Sequence, residues 1–360
     1  MRRAMLLGFL LLFLGGLFFI NWYVLSRAAL FFGGAPTWLA WFTLGMTYLY
    51  FFASFLEQRF GTRVTSRLYT AAAVWLGAVW VLLPFLLAAE LLLLIPAVRA
   101  AGLAAYSVAF FLGLWFVVYA YTNGNRFETR HYTIGHARAN PVRIVHLSDL
   151  HIGPAHRRGY LARVVRAVNQ AKPDLVCITG DLIDQPGKLT PELLTPLRQL
   201  RAPVYYTLGN HEHYVGVRTI KELIKHSPLQ LLEDAVAIHD GITIIGLTDS
   251  EDRNKVSRAL PPLARKAKNT FTLLLYHRPD GLAAAAEHGV DLMLSGHTHA
   301  GQLWPFSLFV RFRFRNISGF AKLRGTTLYT SPGTGTWGPP MRLGSRSVIT
   351  VLDVVCASDH

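Results

Sequence analysis

DLMLSGHTHAGQ, at residues 291–302, sets a short apolar run directly before two histidines. The run has the length and composition of a buried strand, and His297 and His299 follow it in a glycine-flanked turn. In isolation, two surface histidines in a loop would account for this stretch. The same arrangement recurs at four other places in the chain, and that recurrence argues against the simpler explanation.

Strand-like apolar runs alternate with helix-like runs from residue 141 to residue 360. The predicted strands are residues 142–147, 174–179, 203–208, 242–247, 271–276, 291–294, 326–330 and 347–354, and residues 235–247 predict a hairpin. The predicted helices are residues 159–171, 190–200, 218–226, 254–268 and 279–288. This alternation predicts a sheet covered by helices, in which active groups collect beyond the carboxyl ends of the strands.

Five of the predicted strands end in an aspartate, a histidine or an asparagine. Each of these polar residues alone has an ordinary explanation. Asp149 could cap a loop, Asp181 could belong to a Gly-Asp turn, and His277 could be a hydrogen-bonded residue at a strand end. Together, imidazoles and carboxylates at one sheet edge suit first-row divalent ions, and a pair of ions needs a shared oxygen ligand. We therefore predict two divalent ions, Mn, Fe, Zn or Mg, with Mn preferred. The predicted ligands are Asp149, His151, Asp181, Asn210, His277, His297 and His299.

Five short segments of the chain resemble the motif blocks of the calcineurin-like metallophosphoesterases. They are SDLHIG at 148–153, TGDLID at 179–184, LGNHEHY at 208–214, LLYHRPD at 274–280 and SGHTHAGQ at 295–302. The resemblance extends over about residues 142–354. It implies a four-layer αββα sandwich with a dinuclear metal site at one edge.

The resemblance also implies a role for each motif residue. One metal would be held by Asp149, His151 and His299, the other by Asn210, His277 and His297, and Asp181 would bridge them. His211 would be the catalytic histidine, which neutralises charge on the phosphoryl oxygens and protonates the leaving oxygen. Glu212 is predicted to support the loop rather than bind metal, His146 to be a core histidine, and His156 and His213 to be loop residues.

Residues 1–122 have the composition of a membrane region. The whole chain is 52% hydrophobic and 16% charged, and residues 1–122 hold only two acidic side chains, Glu57 and Glu90. Apolar stretches of about 20 residues can cross a bilayer. We predict four spans, at about residues 4–25, 35–55, 69–95 and 101–121, followed by a polar linker at 123–140 and the catalytic domain at 141–360.

The distribution of basic residues predicts the orientation of this region. Arginines are concentrated at the N-terminus, in the loop near 57–67 and after the fourth span, whereas the other two connections hold only Arg27 and Arg99. Positively charged short loops stay in the cytoplasm. We expect a bacterial inner-membrane protein with both termini and the catalytic domain in the cytoplasm. The first apolar stretch is expected to be an anchor rather than a cleaved signal, because it lacks a small-residue cleavage site.

Residues 303–324 alternate aromatic and basic side chains, with Arg311, Arg313 and Arg315 among them. One interpretation is a two-faced strand with one face in water. The other is a basic, aromatic lip on the anionic leaflet whose arginines bind the phosphates of a substrate. Nucleic acid would suit the charge but fits a membrane-tethered domain poorly.

The predicted function is hydrolysis of a phosphoester or pyrophosphate bond in a membrane-associated substrate. Within the family, the continuation GHTHAGQ and the segment GTGTWGPPMRLG at 333–344 resemble the membrane-anchored branch. That branch includes bacterial enzymes that cleave UDP-2,3-diacylglucosamine, which is our first choice of substrate. The alternatives are a phosphodiesterase or phosphatase acting on soluble nucleotides or phosphoproteins, and a membrane scaffold without activity. The sequence does not predict an oligomeric state.

Overall fold

The structure of the protein is a computed structural model that describes residues 2–184, 189–267 and 270–356. The chain forms two compact units, Met1–Thr122 and Asn123–His360. Each unit has its own architecture, and the boundary falls near the end of a long helix that begins at Gly102.

The first unit consists of helices joined by short turns and contains no strand among its described residues. Its helices are α1 (Arg2–Ala29), α2 (Leu39–Phe60), α3 (Arg63–Leu93), the short α4 (Pro96–Arg99) and α5 (Gly102–Gly124). All of these except α4 are long and apolar enough to cross a membrane, which confirms the four predicted apolar helices and indicates a membrane protein. Glu90 forms an ion pair with Arg27, so this acid is paired within the unit.

Helix α3 begins six residues before the predicted span because its first turn is capped. The Thr62 hydroxyl accepts a hydrogen bond from the backbone N–H of Thr65, and the Thr65 hydroxyl accepts one from the N–H of Thr62. A reciprocal capping box of this kind satisfies helix N–H groups that have no partner inside the helix. The cap is local and polar, so a search for apolar stretches does not detect it.

The second unit contains twelve strands and six further helices among its described residues. The strands are β1 (Phe127–Gly135), β2 (Val142–Leu147), β3 (Leu175–Thr179), β4 (Val204–Thr207), β5 (Leu229–Leu231), β6 (Ala235–His239), β7 (Ile242–Leu247), β8 (Phe271–Tyr276), β9 (Leu292–Ser295), β10 (Gly319–Leu323), β11 (Thr326–Thr330) and β12 (Ser347–Val355). The helices are α6 (Arg158–Gln170), α7 (Asn210–Val215), α8 (Val217–Ile224), α9 (Lys255–Ala264), α10 (Leu282–Glu287) and α11 (Phe306–Arg313).

The strands form two six-stranded sheets, ordered β1-β12-β2-β3-β4-β5 and β10-β11-β9-β8-β7-β6. The middle of each sheet is parallel: β2, β3 and β4 in the first, and β7, β8 and β9 in the second. The two sheets share an apolar core, where Ile144 and Leu175 of the first lie in one cluster with Leu273 and Leu292 of the second. Parallel strands that are buried on both faces require this cover.

Helices cover the outer face of each sheet. Leu161 and Val164 of α6 pack in one cluster with Val176 of the first sheet. Val256 of α9 packs in another cluster with Leu274 of the second sheet. The order is therefore helix, sheet, sheet, helix, which confirms the predicted four-layer αββα sandwich.

Several segments differ from the prediction. The predicted helix at 190–200 is a 3-10 helix over Pro191–Gln199, and strand β5 and helix α7 were not predicted. Residues 123–140, predicted to be a linker, contain strand β1, which pairs in parallel with β12 from Phe127 opposite Ser347 to Gly135 opposite Val355. The linker prediction is wrong there because β1 is an edge strand whose exposed side chains are polar, so its sequence resembles a loop. The strand predicted within 303–324 is also wrong for residues 306–313, which form helix α11.

Candidate metal centre

The predicted ligands lie at the carboxyl ends of five strands, β2, β3 and β4 in one sheet and β8 and β9 in the other. Glycines allow these ends to approach one another. A Cβ atom on Gly180 would lie 2.6 Å from Gly209 Cα and 2.7 Å from His277 Nδ1, and Gly180 has a φ of +80°. A Cβ atom on Gly296 would collide with the side chains of Ser148 and Asp149. Only glycine permits this spacing.

The first group of ligands consists of Asp149, His151 and His299, whose ligand atoms all lie within 4.8 Å of one another. His151 Nε2 lies 3.1 Å from His299 Nε2. His299 Nε2 lies 3.4 Å from Asp149 Oδ1. Two ring nitrogens and a carboxylate oxygen therefore point to one place.

The second group consists of Asp181, His277 and His297. His277 Nε2 lies 3.1 Å from His297 Nδ1 and 3.1 Å from the side-chain oxygen of Asn210. Asp181 joins the two groups, because its Oδ2 lies 3.3 Å from His277 Nε2 and 3.7 Å from His151 Nε2. The structure thus brings all seven predicted ligand residues together, with Asp181 in the bridging position.

The donor set fits a pair of divalent cations. His151, Asp149 and His277 are at most 1% exposed, so water does not solvate their polar atoms. Buried ionisable groups are costly unless they are paired or coordinate metal. Facing ring nitrogens such as those of His151 and His299 compete for one proton, whereas a cation between them would satisfy both lone pairs. Metal coordination by these residues stays a prediction. It requires ligand atoms that lie close together, as these do.

Five of the seven residues have a left-handed backbone. The φ angles are +52° at Asp149, +45° at His151, +51° at Asp181, +70° at His297 and +50° at His299. This region is sparsely populated by residues other than glycine, and each such residue costs about 1–3 kcal/mol. The turns therefore hold the side chains in place at the expense of local backbone energy, as is common at functional sites.

The charges within the cluster determine which groups are ionised. Burial alone would raise the pKa of Asp181, but the neighbouring charges of His277, His211 and His151 lower that pKa well below its ordinary value. Burial alone would lower the pKa of His277, and the carboxylate of Asp181 instead raises it to about 10. Burial and the charge of His277 lower the pKa of His297. Asp181 is therefore an anion throughout the neutral range.

The predicted catalytic residue, His211, lies at the edge of this cluster in the first turn of α7. Its backbone N–H donates a hydrogen bond of 3.0 Å to Asp181 Oδ1. Burial, followed by the positive charge of His151, lowers the pKa of its imidazole to about 4. His211 is also flanked by two exposed aromatic residues, with ring-centroid distances of 5.4 Å to Tyr214 and 6.4 Å to Trp337.

Asp184 is a site residue to which the sequence analysis assigned no role. One of its oxygens lies 3.5 Å from His211 Nδ1 and 3.5 Å from His151 Nδ1. It is buried and forms a third group of possible metal-binding atoms with these two histidines. The signal was present, since Asp184 closes the segment TGDLID three residues after Asp181.

Glu212 supports the ligand loops, as predicted. Its carboxylate accepts hydrogen bonds from the backbone N–H groups of Gly209 at 2.7 Å, Asp181 at 2.9 Å and Leu182 at 2.8 Å. These bonds hold the ends of β3 and β4 together. Because its oxygens are engaged by the backbone, Glu212 is a structural residue here.

Arg342 is a second residue that the sequence analysis did not identify. It is fully buried, and its guanidinium donates to the backbone carbonyls of His299 at 3.0 Å, Pro332 at 2.7 Å and Gly335 at 2.8 Å. Burial lowers its pKa to about 10. The side chain ties the His299 turn to the segment 333–344.

Two further histidines near the cluster are buried and bonded within the fold. His146 is fully buried and its Nε2 lies 2.8 Å from the Thr179 hydroxyl, which confirms the predicted core histidine. His156 lies in the loop between β2 and α6, as predicted, but it is buried. Its ring stacks on Tyr160 at 4.2 Å and its Nε2 lies 2.7 Å from the Thr336 hydroxyl. His213 was also predicted to be a loop residue, and this is wrong, because it lies in helix α7, where its side chain is exposed.

The three arginines predicted to bind substrate lie on and just beyond α11. The Arg313 guanidinium forms an ion pair of 2.9 Å with Asp280 and lies 4.3 Å from the centroid of the Phe314 ring. Arg311 and Arg315 are exposed. Substrate binding by Arg311, Arg313 and Arg315 stays a prediction.

An αββα sandwich that gathers histidines and aspartates at the strand ends of both sheets places this unit in a class of α/β proteins whose site residues could bind metal ions. A family model described as calcineurin-like phosphoesterase matches residues 142–301. The chain is 32% identical over 226 residues to an "Uncharacterized metallophosphoesterase" of Aquifex aeolicus, an alignment that covers 60% of this chain and 86% of the relative. The chain belongs to the calcineurin-like metallophosphoesterase family.

Other relatives are longer than the region they share with this chain. A relative from Helicobacter pylori, also named "Uncharacterized metallophosphoesterase", is 34% identical over 218 residues, which are 59% of each chain. A Danio rerio relative named "Transmembrane protein with metallophosphoesterase domain" is 35% identical over 229 residues, 59% of this chain and 52% of the relative. The chain thus spans about three fifths of the first curated relatives that it matches.

Proposed function

We propose that the protein hydrolyses a phosphoester or phosphoanhydride bond with two divalent ions held at the cluster. The observation that carries this proposal is the position of Asp181, whose Oδ2 lies 3.3 Å from His277 Nε2 and 3.7 Å from His151 Nε2. When bound, two such ions acidify water and polarise phosphoryl oxygens. Asp149, His151 and His299 would hold one ion, Asn210, His277 and His297 the other, and Asp181 both.

The protein's own residues would then position the substrate and handle a proton. Oδ1 of Asp184 lies 3.5 Å from Nδ1 of His211, which favours a proton on Nδ1 and would leave Nε2 for the substrate. His211 is neutral near pH 7, because burial lowers the pKa of its imidazole to about 4. In the neutral ring the proton lies on Nδ1, beside Asp184, so Nε2 can only accept a hydrogen bond. Negative charge on a bound phosphate would favour protonation of Nε2, which could then donate that proton to the leaving oxygen.

We propose a lipid-linked substrate, with UDP-2,3-diacylglucosamine as the first choice, and a catalytic unit on the cytoplasmic side of the bacterial inner membrane. Four helices that can cross a bilayer support a substrate found at the membrane. The exposed rings of Tyr214 and Trp337 beside His211 support a leaving group with a flat, stackable base. The same two rings would also suit a soluble nucleotide, which is the second candidate substrate.

The test is hydrolysis by the full chain, purified in detergent with Mn²⁺ and followed by phosphorus NMR. We expect UDP-2,3-diacylglucosamine to be cleaved faster than cyclic nucleotides, phosphopeptides or p-nitrophenyl phosphate. Equal or faster cleavage of the soluble compounds would overturn the lipid-linked substrate alone. If no compound were cleaved while two equivalents of Mn²⁺ were bound, the hydrolase itself would be refuted and the scaffold supported. Asp149→Asn and EDTA treatment should each abolish activity.

A further inference from the structure

Helix α11 exposes an apolar stripe where a helix on the surface of a soluble domain exposes polar residues. Leu308, Phe309 and Phe312 follow one another at i, i+1 and i+4 and therefore share one side of the helix. Their exposed fractions are 53%, 58% and 89%. A surface helix usually turns such a stripe toward the core, and exposed apolar patches mark interaction sites.

The segment is fixed to the protein at and just beyond the C-terminal end of the helix, which keeps the stripe from turning inward. Phe314, just after the helix, is buried, and its ring centroid lies 5.3 Å from that of His297. Arg313 is paired with Asp280 at 2.9 Å, and the Thr298 hydroxyl donates to the Ile317 carbonyl at 2.5 Å. The segment is thus attached directly to the loop that carries the predicted metal ligands His297 and His299.

The surroundings of the stripe combine aromatic rings with positive charge. Trp304 and Phe306 are 47% and 45% exposed, and Arg311 and Arg315 are exposed beside the stripe. The sequence from residue 292 to residue 352 holds no aspartate or glutamate. Apolar side chains bordered by tryptophan and arginine are typical of helices that lie in the interface of a bilayer with anionic headgroups.

We propose that α11 is an interfacial helix that docks the catalytic unit on an anionic lipid leaflet. Leu308, Phe309 and Phe312 would enter the acyl boundary, while Arg311 and Arg315 would contact lipid phosphates, in place of the substrate phosphates considered above. The inference is independent of the substrate. It gives the catalytic unit a membrane contact of its own, next to the His297 loop.

The experiment places a fluorescent probe on the stripe of the full chain. In a Cys356→Ser background, in which the other cysteine, Cys177, is buried, Phe312→Cys is labelled with NBD. Ile238→Cys is the matched control, because Ile238 is an apolar side chain on strand β6 that is 71% exposed. Each protein is reconstituted at one copy per nanodisc, in phosphatidylcholine with or without phosphatidylglycerol, and nitroxide-labelled lipid is added as quencher.

We expect the probe at 312 to shift to the blue in anionic nanodiscs and to lose most of its fluorescence to the nitroxide, while the probe at 238 does neither. Arg311→Gln combined with Arg315→Gln, or removal of phosphatidylglycerol, should reduce this quenching several-fold. Unchanged quenching in both cases would overturn the recognition of anionic lipid. Equal behaviour of the two probes would overturn docking through α11, as would a blue shift that appears only at high protein concentration in detergent, which would indicate a second copy.

A parallel assay separates this inference from the proposed hydrolase. Each labelled protein is tested for hydrolysis of p-nitrophenyl phosphate with Mn²⁺. Hydrolysis without quenching would refute docking and leave the proposed function intact. Quenching without hydrolysis would support docking and count only against the proposed function.

Discussion

The ligand cluster and helix α11 lie close together in the sequence, since His297 and His299 come just before the helix. They depart from the usual distribution of buried and exposed side chains in opposite ways. The cluster buries polar groups: His151, His277 and Asp181 are at most 2% exposed. Helix α11 exposes apolar groups, up to 89% at Phe312. In soluble proteins, a buried polar group or an exposed apolar patch is the informative observation. Each departure would be relieved by a partner from outside the chain, and we propose a cation in one case and lipid in the other.

The comparison also shows which departures the chain compensates by itself. Arg342 and His146 are buried and polar as well, but backbone carbonyls surround the first and a threonine hydroxyl faces the second. The cluster histidines face one another instead. Burial alone does not identify a ligand site, and neither does a single unpaired atom, since Nδ1 of His146 and Nε of Arg342 also lack a hydrogen-bond partner among the described residues. The cluster differs because several ring nitrogens and carboxylate oxygens face one another.

Asp181→Asn should give the largest loss of activity. The substitution removes the negative charge that lies between the two groups of ligands but keeps the size and shape of the side chain. We expect kcat to fall about 1,000-fold, equivalent to about 4 kcal/mol of transition-state stabilisation, and bound Mn²⁺ to fall below two per chain. Steady-state kinetics and elemental analysis measure both. Asp240→Asn, at a side chain that is 84% exposed, is the control and should be silent. Full activity in Asp181→Asn would remove the bridging role.

Arg342→Met tests a buried charge that the protein satisfies internally. The substitution leaves several carbonyls without a donor, so we expect the free energy of unfolding to fall by about 3 kcal/mol. Urea unfolding of the full chain in detergent measures it. Arg218→Met, at an exposed position, should change stability by less than about 0.5 kcal/mol. If the two variants were equally stable, the hydrogen bonds from Arg342 to the backbone carbonyls would contribute nothing to the free energy of unfolding.

His146→Gln tests a buried histidine that lies outside the ligand cluster and faces a threonine hydroxyl. Burial lowers the pKa of His146 to about 3 from an ordinary value of 6.5. Below pH 6.5 the unfolded chain binds a proton that the folded chain does not, so stability is lost as pH falls from 6.5 toward 3. At pH 5 this loss is about 2 kcal/mol, 1.5 pH units at about 1.4 kcal/mol each.

His146→Gln should therefore lose about 2 kcal/mol less stability than the natural protein between pH 7.5 and pH 5. The urea midpoints of both proteins at both pH values measure this difference. Identical pH dependence in the two proteins would show that His146 does not remain neutral in the fold.

Phe312→Ser should give the smallest effect on folding, because the side chain contributes little to the core. We expect the free energy of unfolding in detergent to change by less than about 0.5 kcal/mol. Phe271→Ser is the matched comparison, since Phe271 is 2% exposed, and it should cost about 3–5 kcal/mol. A comparable loss in Phe312→Ser would mean that α11 packs within the fold and would weaken the contrast with the cluster.

The sequence by itself determined the features that depend on local pattern. Apolar stretches long enough for a bilayer predicted α1, α2, α3 and α5, because membrane helices need length and hydropathy and little else. Strand-like runs ending in polar residues predicted β2, β3, β4, β8 and β9 and all seven residues that meet at their ends. The rule that active groups collect at the carboxyl ends of parallel strands needs no knowledge of distant contacts.

Only the tertiary structure decided the features that depend on distant partners. Strand β1 exists because β12, more than 200 residues away, offers it hydrogen bonds, and a polar edge strand has little pattern of its own. Asp184 lies beside His211, and Arg342 donates to the His299 carbonyl, only because the fold brings these distant residues together. The apolar side of α11 faces outward because Phe314 and Arg313 fix the C-terminal end of the segment to the protein. Hydropathy specifies which side chains avoid water, and long-range packing determines which of them the fold can bury.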